Sequence, residues 1–164
     1  MTLDRLWAGW RASYIDEVVA APPRDECLFC ALGAAPDDDA LVVARNEVTF
    51  AVLNAYPYTC GHVMVAPVRH EAELDGLDEA EATSLMVMMQ RATTAVRAAY
   101  APEGMNVGVN IGRAGGAGVP GHLHVHVLPR WAGDTNFMTS VAETRVLPEP
   151  LATTLEKLRA AWPS

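Results

Sequence analysis

Seven residues constrain this chain more than any other stretch: His122-Leu123-His124-Val125-His126-Val127-Leu128. Imidazole and apolar side chains alternate without a break from 122 to 127. An extended strand sends successive side chains to opposite faces, whereas a helix would scatter the same residues around its axis. The run therefore predicts a strand over His122 to Pro129. Leu123, Val125 and Val127 would enter a core. His122, His124 and His126 would share the other face, spaced roughly 7 Å apart.

The rest of the chain supplies partners for that strand. Leu41–Ala44, Val48–Leu53, His62–Pro67 and Asn106–Ile111 are short β-rich runs, too short for buried helices. In the third, Val63 and Val65 fall on one face, Met64 and Ala66 on the other. Asp78–Tyr100 reads as one long helix capped by Asp75 or Asp78. Its Leu85, Met88, Met89, Ala92, Val96 and Ala99 form one apolar stripe. The methionines in it are packing residues. A last helix, about Pro150 to Trp162, carries Leu151, Leu155, Leu158 and Trp162 on one side. Cys27–Cys30 is followed by a loop from Gly33 to Ala40, and Gly112–Gly121 is a glycine-rich loop. The expectation is an α+β domain with a mainly antiparallel sheet. It would span 1–164 as a single unit, with an N-terminal segment (1–26) and a C-terminal extension (139–164).

Three of the five histidines of this chain lie on one strand face, which suits a particular chemistry. A neutral imidazole can attack phosphorus and split one difficult displacement into two easier ones, provided its second nitrogen is held by an acceptor. Flanking imidazoles can donate to phosphate oxygens as charge develops. His124, reaching both neighbours, is the candidate nucleophile, with His122 and His126 beside it. A solvated polar face or a metal site on the same strand stays open at this stage.

The sequence His122 to Leu128 resembles the signature of the histidine-triad family. Pro120-Gly121 before it, and Pro129-Arg130-Trp131, Gly133-Asp134 and Asn136-Phe137-Met138 after it, resemble the bacterial branch that includes diadenosine tetraphosphate phosphorylases. The likeness covers roughly Cys27 to Met138. It implies the histidine-triad fold, a homodimer, and nucleotidyl transfer or hydrolysis on dinucleoside polyphosphates through a nucleotidyl-histidine. Hydrolysis of nucleoside phosphoramidates or other nucleotide conjugates, a nucleotide-binding module without turnover, and a metal-dependent enzyme using the histidines as ligands are the alternatives.

The resemblance also assigns residues. The loop before the triad would cradle the α-phosphate through the backbone of Ala117, Gly118 and Val119, helped by Asn110. Many relatives carry Gln where this chain has Gly118, so no Gln side chain serves the leaving group here. Asn54, eight residues before His62, matches the position that binds the ribose hydroxyls, although an Asn that ends a strand has the same appearance. His62 would lie near the site. Cys27 and Cys30 match two ligands of a structural zinc site, completed by His70 and His122, although a Cys-x-x-Cys alone also fits packed or redox-active thiols.

Composition narrows the partners. The net charge of −8 opposes binding to polymeric nucleic acid, whose backbone needs clustered Lys and Arg. A small phosphorylated ligand remains, because backbone N–H groups can hold phosphate without a basic surface. No stretch is long and apolar enough to span a bilayer. Three cysteines, Cys27, Cys30 and Cys60, without a leader-like start suggest a reducing, cytoplasmic setting.

Overall fold

The computed structural model describes residues 26–134 and 147–163. The expected N-terminal segment up to 25 and the Asn136-Phe137-Met138 stretch lie outside them. Five strands form one antiparallel sheet: β1 (Val42–Arg45), β2 (Thr49–Leu53), β3 (Val63–Pro67), β4 (Gly104–Val109) and β5 (Val125–Arg130). Their order is β1-β2-β3-β5-β4. Three helices complete the α+β fold: α1 (Leu28–Ala34), α2 (Glu79–Tyr100) and α3 (Leu151–Ala160).

The sheet buries both faces, and the period of its strands assigns each residue to one. On one side Val63, Val65, Leu123, Val125 and Val127 pack against Leu85, Met88, Ala92 and Val96 of α2 and Leu155 and Leu158 of α3. On the other, Val52, Met64 and Ala66 pack with Phe50 and with Phe29 of α1. The split of Val63 and Val65 from Met64 and Ala66 is the one the alternation predicts. Each fully buried Val, Leu or Phe side chain contributes about 1.5–3 kcal/mol.

α2 begins where its sequence signal says. Asp78 accepts from the Glu81 N–H while Glu81 reaches back to the Asp78 N–H, a reciprocal capping box. Its predicted stripe is buried or half-buried throughout. α3 is pinned by Arg159, which donates to the Val42 carbonyl at 2.7 Å and pairs with Asp38 at 2.5 Å.

Two expectations shift. Cys27–Cys30 opens a helix, α1, rather than leading straight into a loop. α1 is seven residues long and has no side-chain cap, so no local signal announces it; burial of Phe29 and the Arg45 guanidinium donating to the Gly33 and Ala35 carbonyls hold it. The second shift concerns β5, which starts at Val125 rather than His122. The preceding residues bond instead to the segment after β3: Leu123 N–H donates to the Glu71 carbonyl at 2.6 Å.

Candidate active site

The histidines sit where β5 and β3 run side by side, on the face covered by α1. Met64 pairs with His126, and Val63 with Val127. His122 and His124 are 1% and 4% exposed, so the solvated-face reading of the triad does not hold. The run bends them under α1 instead of presenting them to water.

Hydrogen bonds fix the tautomer of each ring. The Nδ1 of His124 lies 2.8 Å from the His122 carbonyl. A carbonyl only accepts, so Nδ1 carries the proton and Nε2 keeps its lone pair. His62 Nδ1 accepts from the Tyr58 N–H at 3.2 Å, which places the His62 proton on Nε2. That Nε2–H then donates to His126 Nδ1 at 2.9 Å, and the His126 proton is left on Nε2. One ring thus offers a bare Nε2 and its neighbour an Nε2–H.

Electrostatics agree with this division. Burial pushes the His124 imidazole below its ordinary value. Burial, and then the neighbouring His124, hold His126 down at about 4. Both rings are neutral at neutral pH, which a phosphorus nucleophile requires. The rings of His124 and His126 meet edge to face, centroids 5.1 Å apart. Phe29 stacks on the His124 ring, with centroids 4.6 Å apart and planes inclined by 24°.

His122 faces elsewhere. Its Nε2 lies 3.0 Å from the Pro67 carbonyl, so Nε2 is the protonated atom and Nδ1 is bare. That bare nitrogen is 3.3 Å from Cys27 Sγ and 3.7 Å from Cys30 Sγ, while His70 Nδ1 is 3.3 Å from Cys30 Sγ. All four ligand atoms lie within 4.8 Å of one another. Zinc at its usual bond lengths separates tetrahedral S and N ligands by about 3.5 Å, so the donor set fits that ion. The Pro67 carbonyl orients the ring from behind, as outer partners of ligating histidines do. The three cysteines are free thiols.

The remaining predicted residues surround this centre. His62 is 1% exposed and held by two partners. The Gly61 before it has φ +81°, and a Cβ there would strike the Tyr100 ring at 2.9 Å; only glycine permits that backbone. Asn54 follows β2, and its Oδ1 accepts from the Tyr56 N–H at 2.9 Å. The strand-ending role is therefore real, and its Nδ2 and a second Oδ1 lone pair remain for a ligand. Asn110 follows β4, half-buried. The glycine-rich loop turns back on itself: the Ala117 N–H donates to the Gly112 carbonyl at 3.2 Å. In this arrangement the Ala117 N–H of the expected cradle is engaged within the loop. Among the described residues, the Gly118 and Val119 N–H groups make no such backbone bond. Val119 packs beside Phe29, Val52 and Met64, which places the loop on the triad face.

Sequence reasoning passed over Phe29 and Tyr58. Tyr58 lies 4.8 Å from the His62 ring and 5.9 Å from that of His126, centroid to centroid. A signal for Phe29 existed, because it stands between the two cysteines. It also passed over Arg69, beside His70, which donates to Glu81 at 2.6 Å and to the Gly76 carbonyl at 2.8 Å.

Comparison with known proteins places this arrangement among relatives. The HIT domain family model matches residues 35–133. The chain is 39% identical over 165 residues to an AP-4-A phosphorylase of Mycobacterium tuberculosis, covering 98% of this chain and 85% of that one. The crystal structure of a Zn-bound histidine triad family protein from Mycobacterium smegmatis superposes with a TM-score of 0.67 at 30% identity, covering 83% of this chain and 92% of that one. A hypothetical histidine triad nucleotide-binding protein from Sulfolobus tokodaii gives 0.66 at 26%, covering 82% and 91%.

Proposed function

Because the chain belongs to the HIT domain family, we propose that it is a nucleotidyltransferase of dinucleoside polyphosphates, working through a nucleotidyl-His124 intermediate. The observation that carries this reading is the buried His124 ring, its Nδ1 proton held on the His122 carbonyl. That bond leaves Nε2 bare and aimed away from the backbone.

In the first step His124 Nε2 forms a bond to the α-phosphorus. The bridging P–O bond breaks, and its electron pair leaves on the nucleoside polyphosphate. The ring keeps its Nδ1 proton and becomes cationic. The His126 Nε2–H and the N–H groups of Gly118 and Val119 donate to phosphate oxygens, Asn110 flanks the loop, and Asn54 holds the ribose diol beside His62. In the second step an oxygen of inorganic phosphate attacks the phosphorus and the P–N bond breaks. A nucleoside diphosphate leaves, and neutral imidazole is restored. The 39% identity to an AP-4-A phosphorylase supports phosphate over water as that second nucleophile.

Cys27, Cys30, His70 and His122 would hold one structural zinc ion, which would cross-link α1 to the segment after β3 and to the approach to β5. His122 then serves the metal rather than the phosphate, and the Zn-bound relative favours this assignment. A homodimer is the fitting assembly: β4 forms a sheet edge, pairs only with β5 among the described strands, and exposes Val107. Free thiols suit a reducing, cytoplasmic setting. No helix among the described residues is long and apolar enough to cross a membrane.

The test is product analysis on diadenosine tetraphosphate with and without phosphate. ADP plus ATP, formed only with phosphate, is the expected outcome. AMP plus ATP at equal rate without phosphate would make the enzyme a hydrolase. Absence of turnover would leave a binding module.

A further inference from the structure

We infer that Phe29 is a positioning residue for the transfer reaction, acting on the nucleophile through the face of its ring. This rests on the reading of His124 given above. Phe29 is 1% exposed, so its action on the reaction runs through the rings it packs against. Its ring stacks on His124 at 4.6 Å and lies 5.3 Å from His122 at 36°.

Two properties of His124 need such a neighbour. The first is orientation. One hydrogen bond from Nδ1 to a carbonyl fixes a direction but leaves the ring free to swing about it. A flat surface stacked on the ring and the His126 ring set steeply against it restrict that swing, and Nε2 then stays on a single line of attack. The second is charge. Forming the P–N bond while Nδ1 keeps its proton turns a neutral ring into a cation. Among the described residues no carboxylate lies against this ring: its partners are the His122 carbonyl, the His126 ring and the Phe29 face. An aromatic face carries negative quadrupole density and attracts a cation within about 6 Å, more strongly where water is excluded. Phe29 therefore interacts more strongly with the nucleotidylated, cationic ring than with the resting one. A contact that strengthens along the reaction raises kcat without tightening substrate binding.

The position of Phe29 follows from the same residues that gather the cysteines. It lies between Cys27 and Cys30 at the start of α1. The segment that brings two thiols to His122 thus also lays the ring on His124.

The experiment replaces Phe29 with mono-, di- and trifluorophenylalanine, site by site in the full chain, and measures the single-turnover rate of nucleotidyl-histidine formation from diadenosine tetraphosphate. Fluorine drains the ring face while nearly preserving shape. Affinity for AMP, KM and Tm are followed in parallel. The rate should fall stepwise with fluorine number, with AMP affinity, KM and Tm flat. Phe29→Leu, which removes the face altogether, should lose about tenfold in kcat at unchanged KM. A flat series, or a rate that falls only together with Tm, overturns the inference while the reaction stands. A wild type that forms no nucleotidyl-histidine overturns both, and so separates the two failures.

Discussion

At the scale of single residues, the site sets three similar histidines apart by giving each a different neighbour. His124 has a carbonyl at Nδ1, His126 has a histidine there, and His122 has thiols. Replacing His124 with Ala should abolish turnover while nucleotide affinity stays within about tenfold, because it removes the nucleophile and not the pocket; near-normal turnover would remove His124 from its role. Protonation supplies a second check. His126 is held at about 4 and His124 also lies below the ordinary histidine value of 6.5. Both stay neutral at pH values where a free imidazole is charged, so the acid limb of kcat/KM should lie below 6.5. A limb at or above that value would contradict the buried, neutral pair. Asn54 is engaged by the Tyr56 N–H through one lone pair, so Asn54→Asp should keep both the turn and the diol contact. Asn54→Ala should erase a ribose-over-deoxyribose preference of roughly ten- to hundredfold, since the buried hydroxyl partner is lost. Equal kcat/KM on ribo and deoxy substrates in the wild type would leave Asn54 only its turn.

At the scale of elements, the segment between β3 and α2 carries His70 and is held by one clamp. Arg69 bonds both Glu81 oxygens at 2.6 and 2.7 Å, reaches Glu71 at 3.0 Å, and donates to the Gly76 carbonyl. Glu71 in turn offers its backbone carbonyl to Leu123, between the first two triad histidines. α2 and the triad approach are therefore tied through a single guanidinium. The Arg69 hydrogen bonds, with the Asp78 N–H, hold the Glu81 carboxyl down at about 2 against an ordinary 4.5. A carboxyl whose folded value is depressed stabilises the fold fully above its unfolded value, and that contribution disappears as pH falls through the folded one. Thermal melts should show stability declining between about pH 4.5 and 2. Glu81→Gln should flatten this part of the profile and lower Tm by a few degrees at neutral pH; an unchanged profile would show that the clamp contributes nothing.

For the whole molecule, the decisive feature is that α1, the segment after β3 and the approach to β5 converge at one point. Cys27 and Cys30, His70, and His122 come from those three places. Metal binding at such a junction stabilises folding, because the unfolded chain has no preformed site. Protein purified without added metal should carry roughly one zinc per chain, and a strong chelator should lower Tm. Zinc-free protein with unchanged Tm, or a Cys27–Cys30 disulfide in its place, would sink the assignment. The exposed β4 edge makes a companion prediction: sedimentation should give twice the mass of one 17.6 kDa chain, and Val107→Lys should shift it toward the monomer, as an edge charge opposes strand pairing.

Much of this was legible along the chain. Alternation over 122–127 set the imidazoles apart from Leu123, Val125 and Val127, which enter the core, and the stripe from Leu85 to Ala99 determined the long helix and its buried side. These are local properties, set by the 2.0 and 3.6 residue periods of the backbone, and they need no knowledge of what lies opposite. A candidate for the reacting group was legible too, because only a few side chains can attack phosphorus. Tertiary structure alone decided the rest. Which nitrogen of His62, His122 and His126 carries its proton depends on Tyr58, Pro67 and the facing histidine, groups up to 64 positions away in the chain. The existence of α1 depended on burial of Phe29 and on Arg45, not on any cap or periodicity of its own. The late start of β5 depended on the Glu71 carbonyl capturing the Leu123 N–H. A hydrogen bond needs its partner at a particular distance and angle, and that partner is supplied by the fold.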